Sequence, residues 1–277
     1  MHDCPNAAVN ICFIHSLTGN RGSTWTANKQ STPWPKTLLP PKLARVRILI
    51  YGYGVYIVRK SGASSNDHAT NLLNDLTTNR ASCDALPRPL IFVTHSLGGP
   101  VCKEVILLLR HNLESHLLGI FDRTNAIIFL GTPHKGAWMA DWAKIPASAF
   151  GLAKLPTNSG RRLEVTCFFE ELPMPIVGKL VSKESATLEG YSSFRIRPNH
   201  RDMVRWESQL RDRASSQPTQ LEEAIEKPAS LSFHNRGTGS QFNSLRGAQS
   251  NNTGNGNQIF GSFSGPVQFS QLSTPRI

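Results

Sequence analysis

No apolar run in these 277 residues reaches the length of a membrane-spanning helix, which takes about 20 residues. The N-terminal stretch has neither the basic region nor the apolar core of a secretion signal, so we expect a cytoplasmic protein. The five cysteines have no C-x-x-C spacing, and several lie inside apolar segments. This pattern argues against a disulfide framework or a zinc site and favours a reducing compartment. We expect neither a metal nor a cofactor.

Acidic residues are also few, with 19 Asp and Glu against 30 Lys and Arg, which gives a net charge of +11. A basic surface favours anionic partners such as acidic lipid head groups or nucleic acid. The basic residues are scattered, however, and no Lys/Arg run with interleaved aromatic residues is present. We therefore expect no nucleic-acid partner. Peripheral association with a membrane is compatible with the charge, which does not by itself indicate it.

One stretch joins an apolar segment directly to a candidate nucleophile. Residues 90–93 (Leu-Ile-Phe-Val) predict a buried strand, and Ser96 follows between His95 and the pair Gly98-Gly99. A segment with helical spacing comes next, as in the nucleophile elbow of α/β-hydrolases. Thr94 replaces the first glycine of G-x-S-x-G, and on the pattern alone a serine in an ordinary turn is an equal alternative. We interpret Ser96 as the nucleophile.

Strand and helix patterns alternate over most of the chain. Strands are predicted at 9–14, 45–53, 90–93, 123–131, 163–169 and 194–196, and helices at 67–79 and 202–213. This alternation predicts a mostly parallel, doubly wound sheet with helices, in a hydrolase domain over residues 8–213. Trp25 and Trp34 occupy a polar loop after the first strand. They are interpreted either as pocket-lining residues or as packing anchors.

The order of the candidate acid and base supports a catalytic triad. A serine hydroxyl needs a base to take its proton, and the base needs a partner to hold its tautomer. In α/β-hydrolases the acid follows a late strand and the histidine follows the last one. Glu170 and His200 fit these positions. Only one of the adjacent Glu170 and Glu171 can face inward, so Glu171 is the fallback, and Asp141 is a further candidate.

Other residues are predicted to surround this triad. The backbone amides of Leu97 and Leu17 are candidates for the oxyanion hole, because they follow the nucleophile and the first strand. His15 and His134 each follow a strand and are expected near the site. His95 adjoins the nucleophile, so its side chain is expected to point away from it.

The composition changes at about Pro228, beyond which there is no Lys, Asp or Glu. Residues 235–241 (Asn-Arg-Gly-Thr-Gly-Ser-Gln) recur as residues 252–258 (Asn-Thr-Gly-Asn-Gly-Asn-Gln), with spaced aromatic residues after them. Such a segment cannot bury enough apolar surface to fold alone, so a flexible tail is one interpretation. Repeated amides with little charge favour stacked cross-β instead. We predict a linker over 214–232 and an amyloid-forming, prion-like motif over 233–270.

Six segments, taken in order, resemble the serine esterase family that includes the animal serine-active-site-containing proteins and the fungal SesB-type hydrolases. They lie at 15–19, 34–40, 91–99, 129–134, 168–170 and 199–203, so the likeness covers roughly residues 8–210. The resemblance implies an α/β-hydrolase fold with esterase- or lipase-like activity on lipid or other carboxylic esters. It also implies Ser96, Glu170 and His200 as the triad.

The tail resembles the sigma-type motif of the same fungal proteins. That resemblance implies self-assembly and pairing with a NACHT/NLR-type receptor in programmed cell death and heterokaryon incompatibility. The animal members are associated with mitochondrial and endoplasmic-reticulum membranes, which makes peripheral association with such membranes an expectation here.

The sequence also departs from the family. Ser16 stands where relatives have glycine, and Ala137 stands where they often have serine. Residues 138–162 are shorter than the insertion that forms part of the cap over the site in relatives. These departures support a second hypothesis, in which an abridged, catalytically inactive hydrolase domain serves as an interaction protein through its tail.

Overall fold

The computed structural model describes residues 2–16, 19–43, 45–53, 65–112, 114–135, 163–205 and 223–225. The chain divides into two units, residues 1–229 and 230–277, and every described residue belongs to the first. Leu17, Asp141, the shortened segment 138–162 and the tail motif therefore lie outside the described residues. No helix within those ranges is long and apolar enough to cross a membrane.

Six strands form one sheet in which every neighbouring pair is parallel. Its spatial order is β2-β1-β3-β4-β5-β6. The strands are β1 (Val9–Ile14), β2 (Val46–Tyr51), β3 (Leu90–His95), β4 (Thr124–Leu130), β5 (Glu164–Glu170) and β6 (Ser192–Ile196). The predicted doubly wound sheet of an α/β-hydrolase fold is confirmed.

The described helices connect these strands, as parallel pairing requires. They are α1 (Trp34–Leu38), α2 (Ser65–Ala81), α3 (Gly98–His111), α4 (Ser115–Arg123) and α5 (Lys183–Ala186), with 3₁₀ turns at Ser23–Trp25 and Asp202–Val204. Strands β1, β3 and β4 are buried along their whole length. This burial explains why they appear in the sequence as continuous apolar runs.

The predicted helix at 202–213 is wrong at its start. Asp202–Val204 is a single 3₁₀ turn, and Arg205 leaves it with φ −108° and ψ 73°. The Asn199 side chain fixes this turn, because its Oδ1 accepts hydrogen bonds from the amides of Arg201 (3.1 Å) and Asp202 (3.0 Å). The Val204 carbonyl accepts instead from the Trp34 indole N–H at 2.9 Å. A tertiary contact thus takes the acceptor that a continuing helix would use.

The two faces of the sheet bury separate apolar clusters. Trp25 and Trp34 belong to the second cluster, where both pack edge-on against Phe13 with ring centroids 5.0 and 5.7 Å apart. The two tryptophans are therefore packing anchors, which decides the alternative left open above. Ile225 is buried in the same cluster, so this part of the segment predicted as a linker packs on the first unit. All the predicted domain boundaries stay predictions.

The chain reverses its direction across the sheet between β1 and β3. From β1 it adds β2 on one side, then crosses to β3 on the other side and continues outward to β6. Ligand sites of open parallel sheets lie at the carboxyl ends of the strands beside such a reversal. Gly98 seals this point, because a Cβ there would lie 2.5 Å from the His15 carbonyl oxygen and 2.7 Å from that of Ile14. Only glycine lets α3 approach β1 so closely.

Candidate active site

Ser96 occupies a strained turn between β3 and α3. Its φ is +50°, a left-handed conformation that residues other than glycine rarely adopt. Two backbone hydrogen bonds hold the turn: the Ser96 amide donates to the Leu130 carbonyl at 2.9 Å, and the Gly99 amide donates to the Ser96 carbonyl at 3.0 Å. Strain of this kind persists where the surroundings over-determine it, and it is concentrated at functional sites. The geometry is that of a nucleophile elbow.

A buried imidazole and a buried carboxylate lie at the same edge of the sheet. Glu170 is the last residue of β5, and His200 lies in the loop after β6. His200 Nδ1 is 3.7 Å from Glu170 Oε2, while Glu170 Oε1 accepts a hydrogen bond from the Val181 amide at 3.0 Å. The pair is within ion-pair distance, and a full hydrogen bond requires an approach to about 2.9 Å.

The neighbouring acid points elsewhere. Glu171 forms an ion pair with Arg195, with Oε1 and Nη1 3.5 Å apart, the Glu171 side chain half-buried and the Arg195 side chain exposed. The return of the chain at Val181 is what fixes the buried carboxylate of Glu170. Of the two candidate acids, the geometry brings Glu170 to His200.

Ser96 and His200 both lie against the residues at the end of β4. The Ser96 amide is bonded to the carbonyl of Leu130, and the next residue, Gly131, lies against the His200 ring. A Cβ on Gly131 would be 2.9 Å from both Cε1 and Nδ1 of His200. Gly131 also has a φ of +57°, so the turn and the contact both require glycine. Gly131 is not among the site residues predicted from the sequence.

The electrostatics favour a neutral imidazole that can accept a proton. Burial lowers the pKa of His200, and the Glu170 carboxylate opposes that shift. A histidine that is neutral near neutral pH can take the proton of a serine hydroxyl. The nearby carboxylate then stabilises the imidazolium that forms.

The His95 side chain contacts the backbone of His200, the predicted base. The His95 Nε2 is 3.0 Å from the His200 carbonyl oxygen, and the two ring centroids are 5.0 Å apart. Burial, followed by the charge of His200, lowers the pKa of His95 to about 3. The ring is therefore neutral, and because a carbonyl only accepts, Nε2 carries the hydrogen. Through this hydrogen bond His95 positions the backbone of His200. The sequence predicted only that the His95 side chain points away from Ser96.

The loop after β1 is held by Tyr53. Its hydroxyl donates to the His15 carbonyl at 2.6 Å, and its ring stacks on the His15 ring at 4.5 Å. The Tyr53 amide donates to His15 Nε2 at 3.4 Å, while His15 Nδ1 donates to the Ser16 carbonyl at 2.6 Å. Burial lowers the pKa of His15, consistent with this neutral ring. Tyr53, at the carboxyl end of β2, is a residue that the sequence analysis missed.

Of the two predicted oxyanion donors, the structure describes Leu97 and not Leu17. Leu97 is the N-cap residue of α3, a helix of 14 residues, so its amide lies at the positive end of the helix dipole. Leu17 lies outside the described residues.

His134 packs against side chains of β4 and β5. Its ring meets the Phe129 ring edge-on at 4.9 Å, its Nε2 is 3.8 Å from Cys167 Sγ, and its amide donates to the Ser185 carbonyl at 2.6 Å. Burial and the charge of Lys103 hold the pKa of His134 well below its usual value. These contacts show how His134 packs, and its expected place near the site stays a prediction. Among the described residues, no cluster of His, Cys, Asp or Glu could hold a metal ion.

Comparison with known proteins gives separate results for the two units. Residues 231–270 match the model of the sigma domain on NACHT-NTPases. Over 152 residues, the chain is 25% identical to Protein SERAC1 of Mus musculus and 24% identical to that of Homo sapiens. Each alignment covers 49% of this chain and 23% of the relative, so the chain matches less than a quarter of those proteins.

Solved structures similar to this chain include a lipase and an esterase. A truncated carbohydrate esterase from gut microbiota superposes with a TM-score of 0.46 at 12% identity, covering 81% of this chain and 87% of that one. Lipase BlEst2 of Bacillus licheniformis gives a TM-score of 0.43 at 15% identity, covering 74% and 89%. The comparisons thus support the predicted likeness to serine-active-site-containing proteins and to a sigma domain. The assignment of a SesB-type prion-like motif stays a prediction.

Proposed function

We propose that the first unit is a serine hydrolase that acts on lipid or other carboxylic esters. The observation that carries this proposal is the convergence of three groups at one edge of the sheet. The strained Ser96 and the buried His200 both contact the end of β4, and Glu170 lies 3.7 Å from the imidazole. Neither Ser96 alone nor the His200–Glu170 pair alone would support acyl transfer.

In the proposed reaction, Ser96 Oγ attacks the ester carbonyl carbon while His200 Nε2 takes its proton. Glu170 holds the Nδ1 hydrogen of His200 and stabilises the imidazolium. The Leu97 amide, together with that of Leu17, donates to the oxyanion. The imidazolium then protonates the departing alcohol, and water attacks the acyl-enzyme with His200 again as base. The product acid leaves and the serine proton is restored, so no external oxidant or cofactor enters the balance.

A fluorophosphonate probe tests this proposal, because it reacts only with an activated serine. We expect the full chain to be labelled and Ser96→Ala and His200→Ala to be silent. Glu170→Gln should be labelled slowly, whereas Glu171→Gln is the matched control and should react like the wild type. A folded wild type that does not react would contradict the proposal, as would equal loss in the two glutamine variants.

We propose for the second unit that residues 233–270 assemble as cross-β and template the sigma domain of a NACHT/NLR-type receptor. The family match over residues 231–270 and the internal repeat support this. The hydrolase would then act in the cytoplasm, with peripheral association at mitochondrial or endoplasmic-reticulum membranes. Such a pathway corresponds to fungal programmed cell death or incompatibility.

The tail proposal is tested by shuffling. Variants of the full chain with residues 235–241 and 252–258 both shuffled, at unchanged composition, should lose thioflavin-positive assembly and seeding by wild-type fibrils. Shuffling residues 271–277 is the control and should change neither. Equal assembly by both variants would refute a templating role for the repeat.

The alternative function is an inactive hydrolase domain that carries the interaction motif. Ser16 in the loop after β1 and the short segment 138–162 favour it. It predicts a folded, unlabelled wild type whose tail assembles normally. The labelling experiment and the shuffling experiment therefore distinguish the two functions.

A further inference from the structure

An apolar hairpin, residues 172–180, follows Glu170, the predicted catalytic acid, and extends into solvent. Five large hydrophobic side chains are exposed among the described residues, and four of them lie in residues 172–180. They are Leu172 (48% exposed), Val177 (62%), Leu180 (42%) and Ile176, which is fully exposed at 107%. Single exposed apolar residues are ordinary, but four within nine positions form a patch that calls for a partner.

The tip of this apolar hairpin is an ordered turn. Met174 and Gly178 exchange two backbone hydrogen bonds, at 2.9 and 3.0 Å, and the Val177 amide donates to the Pro175 carbonyl at 2.8 Å. Ile176 at the centre has a φ of +72°. An i to i+2 hydrogen bond around a positive φ is the rare, strained form of the γ-turn. Glycine would relieve the strain, so the presence of an exposed β-branched side chain there points to a function.

Both ends of the apolar hairpin are tied to the candidate site. At its start, the Glu171 amide donates to the Ile196 carbonyl at 2.9 Å. At its end, the Val181 amide donates to Glu170 Oε1 at 3.0 Å. The tip is therefore held in a fixed relation to the carboxyl edge of the sheet, and whatever binds the tip lies beside the site.

The charges around the tip are of one sign. Residues 172–183 contain Lys179 and Lys183 and no acidic residue. Lys183 Nζ lies 5.5 Å from the Phe169 ring centroid, which holds its charge near the base of the hairpin. The acids that flank this segment are engaged: Glu171 pairs with Arg195, and Glu184 accepts hydrogen bonds from its own backbone and from Ser182.

This combination fits a lipid surface better than a protein. A stable protein interface uses about 20 residues or more on each side, and this patch offers four apolar side chains on one narrow turn. Insertion of a few apolar groups with lysines at the head-group level is how peripheral proteins bind anionic bilayers. We propose that the apolar hairpin inserts into anionic membranes and docks the chain there, independently of any reaction at Ser96.

Vesicle flotation tests this proposal with the full chain, because lipid-bound protein rises while fibrils of the tail sink. Wild type and Ser96→Ala should both float with vesicles of equal parts phosphatidylcholine and phosphatidylserine, and float weakly with phosphatidylcholine alone. Ile176→Asn should reduce the bound fraction about tenfold, because it removes the apolar side chain at the centre of the tip. Lys179→Ala with Lys183→Ala should weaken binding about 25-fold, taking about fivefold for each charge.

Leu86→Asn is the matched control, since Leu86 is the fifth of the large apolar side chains exposed in the described part of the chain and lies outside the hairpin. It should float like the wild type. Wild type that fails to float, or Ile176→Asn that floats as well as Leu86→Asn, would overturn the proposal. Loss in the lysine variant alone would mean binding by charge without insertion, which also overturns it. If Ser96→Ala floats but is not labelled, membrane docking is distinguished from catalysis at Ser96.

Discussion

Replacing Gly131 by alanine tests whether the His200 ring is held where the reaction needs it. The new Cβ would lie 2.9 Å from Cε1 and Nδ1 of His200 and 2.9 Å from Met203 Sδ. Ordinary contacts between such atoms begin at about 3.5 Å, so the ring must move by roughly 0.6 Å. Displacements of about 1 Å at reacting groups reduce rates by about 100-fold. We expect Gly131→Ala to slow labelling by about tenfold or more.

Gly131→Ala also destabilises the backbone, and the same substitution at Gly190 measures this effect alone. Alanine at a φ of +57° loses on the order of 1–2 kcal/mol of stability. Gly190 has a φ of +81°, and nothing lies within 4 Å of a Cβ built there. Gly190→Ala should therefore lose a similar amount of stability and keep the labelling rate of the wild type.

The assay measures the labelling rate and the melting temperature of both variants beside the wild type. Gly131→Ala should be slow at temperatures well below its melting transition, which excludes unfolding as the cause. Labelling of Gly131→Ala at the wild-type rate would refute the reasoning. Equal slowing in Gly190→Ala would mean that lost stability, and not the position of His200, limits the rate.

Three further predictions concern the two histidines of this edge. Burial lowers the His200 pKa while Glu170 raises it. In the pH profile of the labelling rate, Glu170→Gln should therefore shift the loss of rate on the acidic side to lower pH and reduce the plateau by about 10²- to 10⁴-fold. A shift of that acidic loss to higher pH would contradict this. His95→Phe removes the donor to the His200 carbonyl and should slow labelling about tenfold, whereas His95→Gln should retain most of the rate, and equal rates would exclude a positioning role. Since the His95 pKa is about 3 when folded against 6.5 ordinarily, the unfolded chain binds a proton that the native chain excludes between these values. The free energy of unfolding should then fall as pH drops below 6.5, by up to about 1.4 kcal/mol per pH unit from this group. Urea unfolding of His95→Gln should show a shallower fall.

The elements of the sheet could be predicted because their signals are local. The apolar run at residues 90–93 and the glycines after Ser96 define a buried strand and a tight turn through their immediate neighbours. The start of the helix predicted at 202–213 was wrong, since the Val204 carbonyl accepts a hydrogen bond from Trp34, 170 positions away along the chain. No pattern of neighbouring residues carries that information.

By itself, the sequence determined the alternation of strands and helices, the turn at Ser96 and the chain order of the candidate acid and base. Only the tertiary structure showed that Glu170, held by the Val181 amide, and not Glu171 lies beside His200, and that His95 lies within hydrogen-bond distance of the His200 carbonyl. It also revealed the contact between Gly131 and His200 and the strained Ile176. The physical reason is that propensity and periodicity act between neighbours in the chain, whereas a site is made by groups that packing brings together at the ends of different strands.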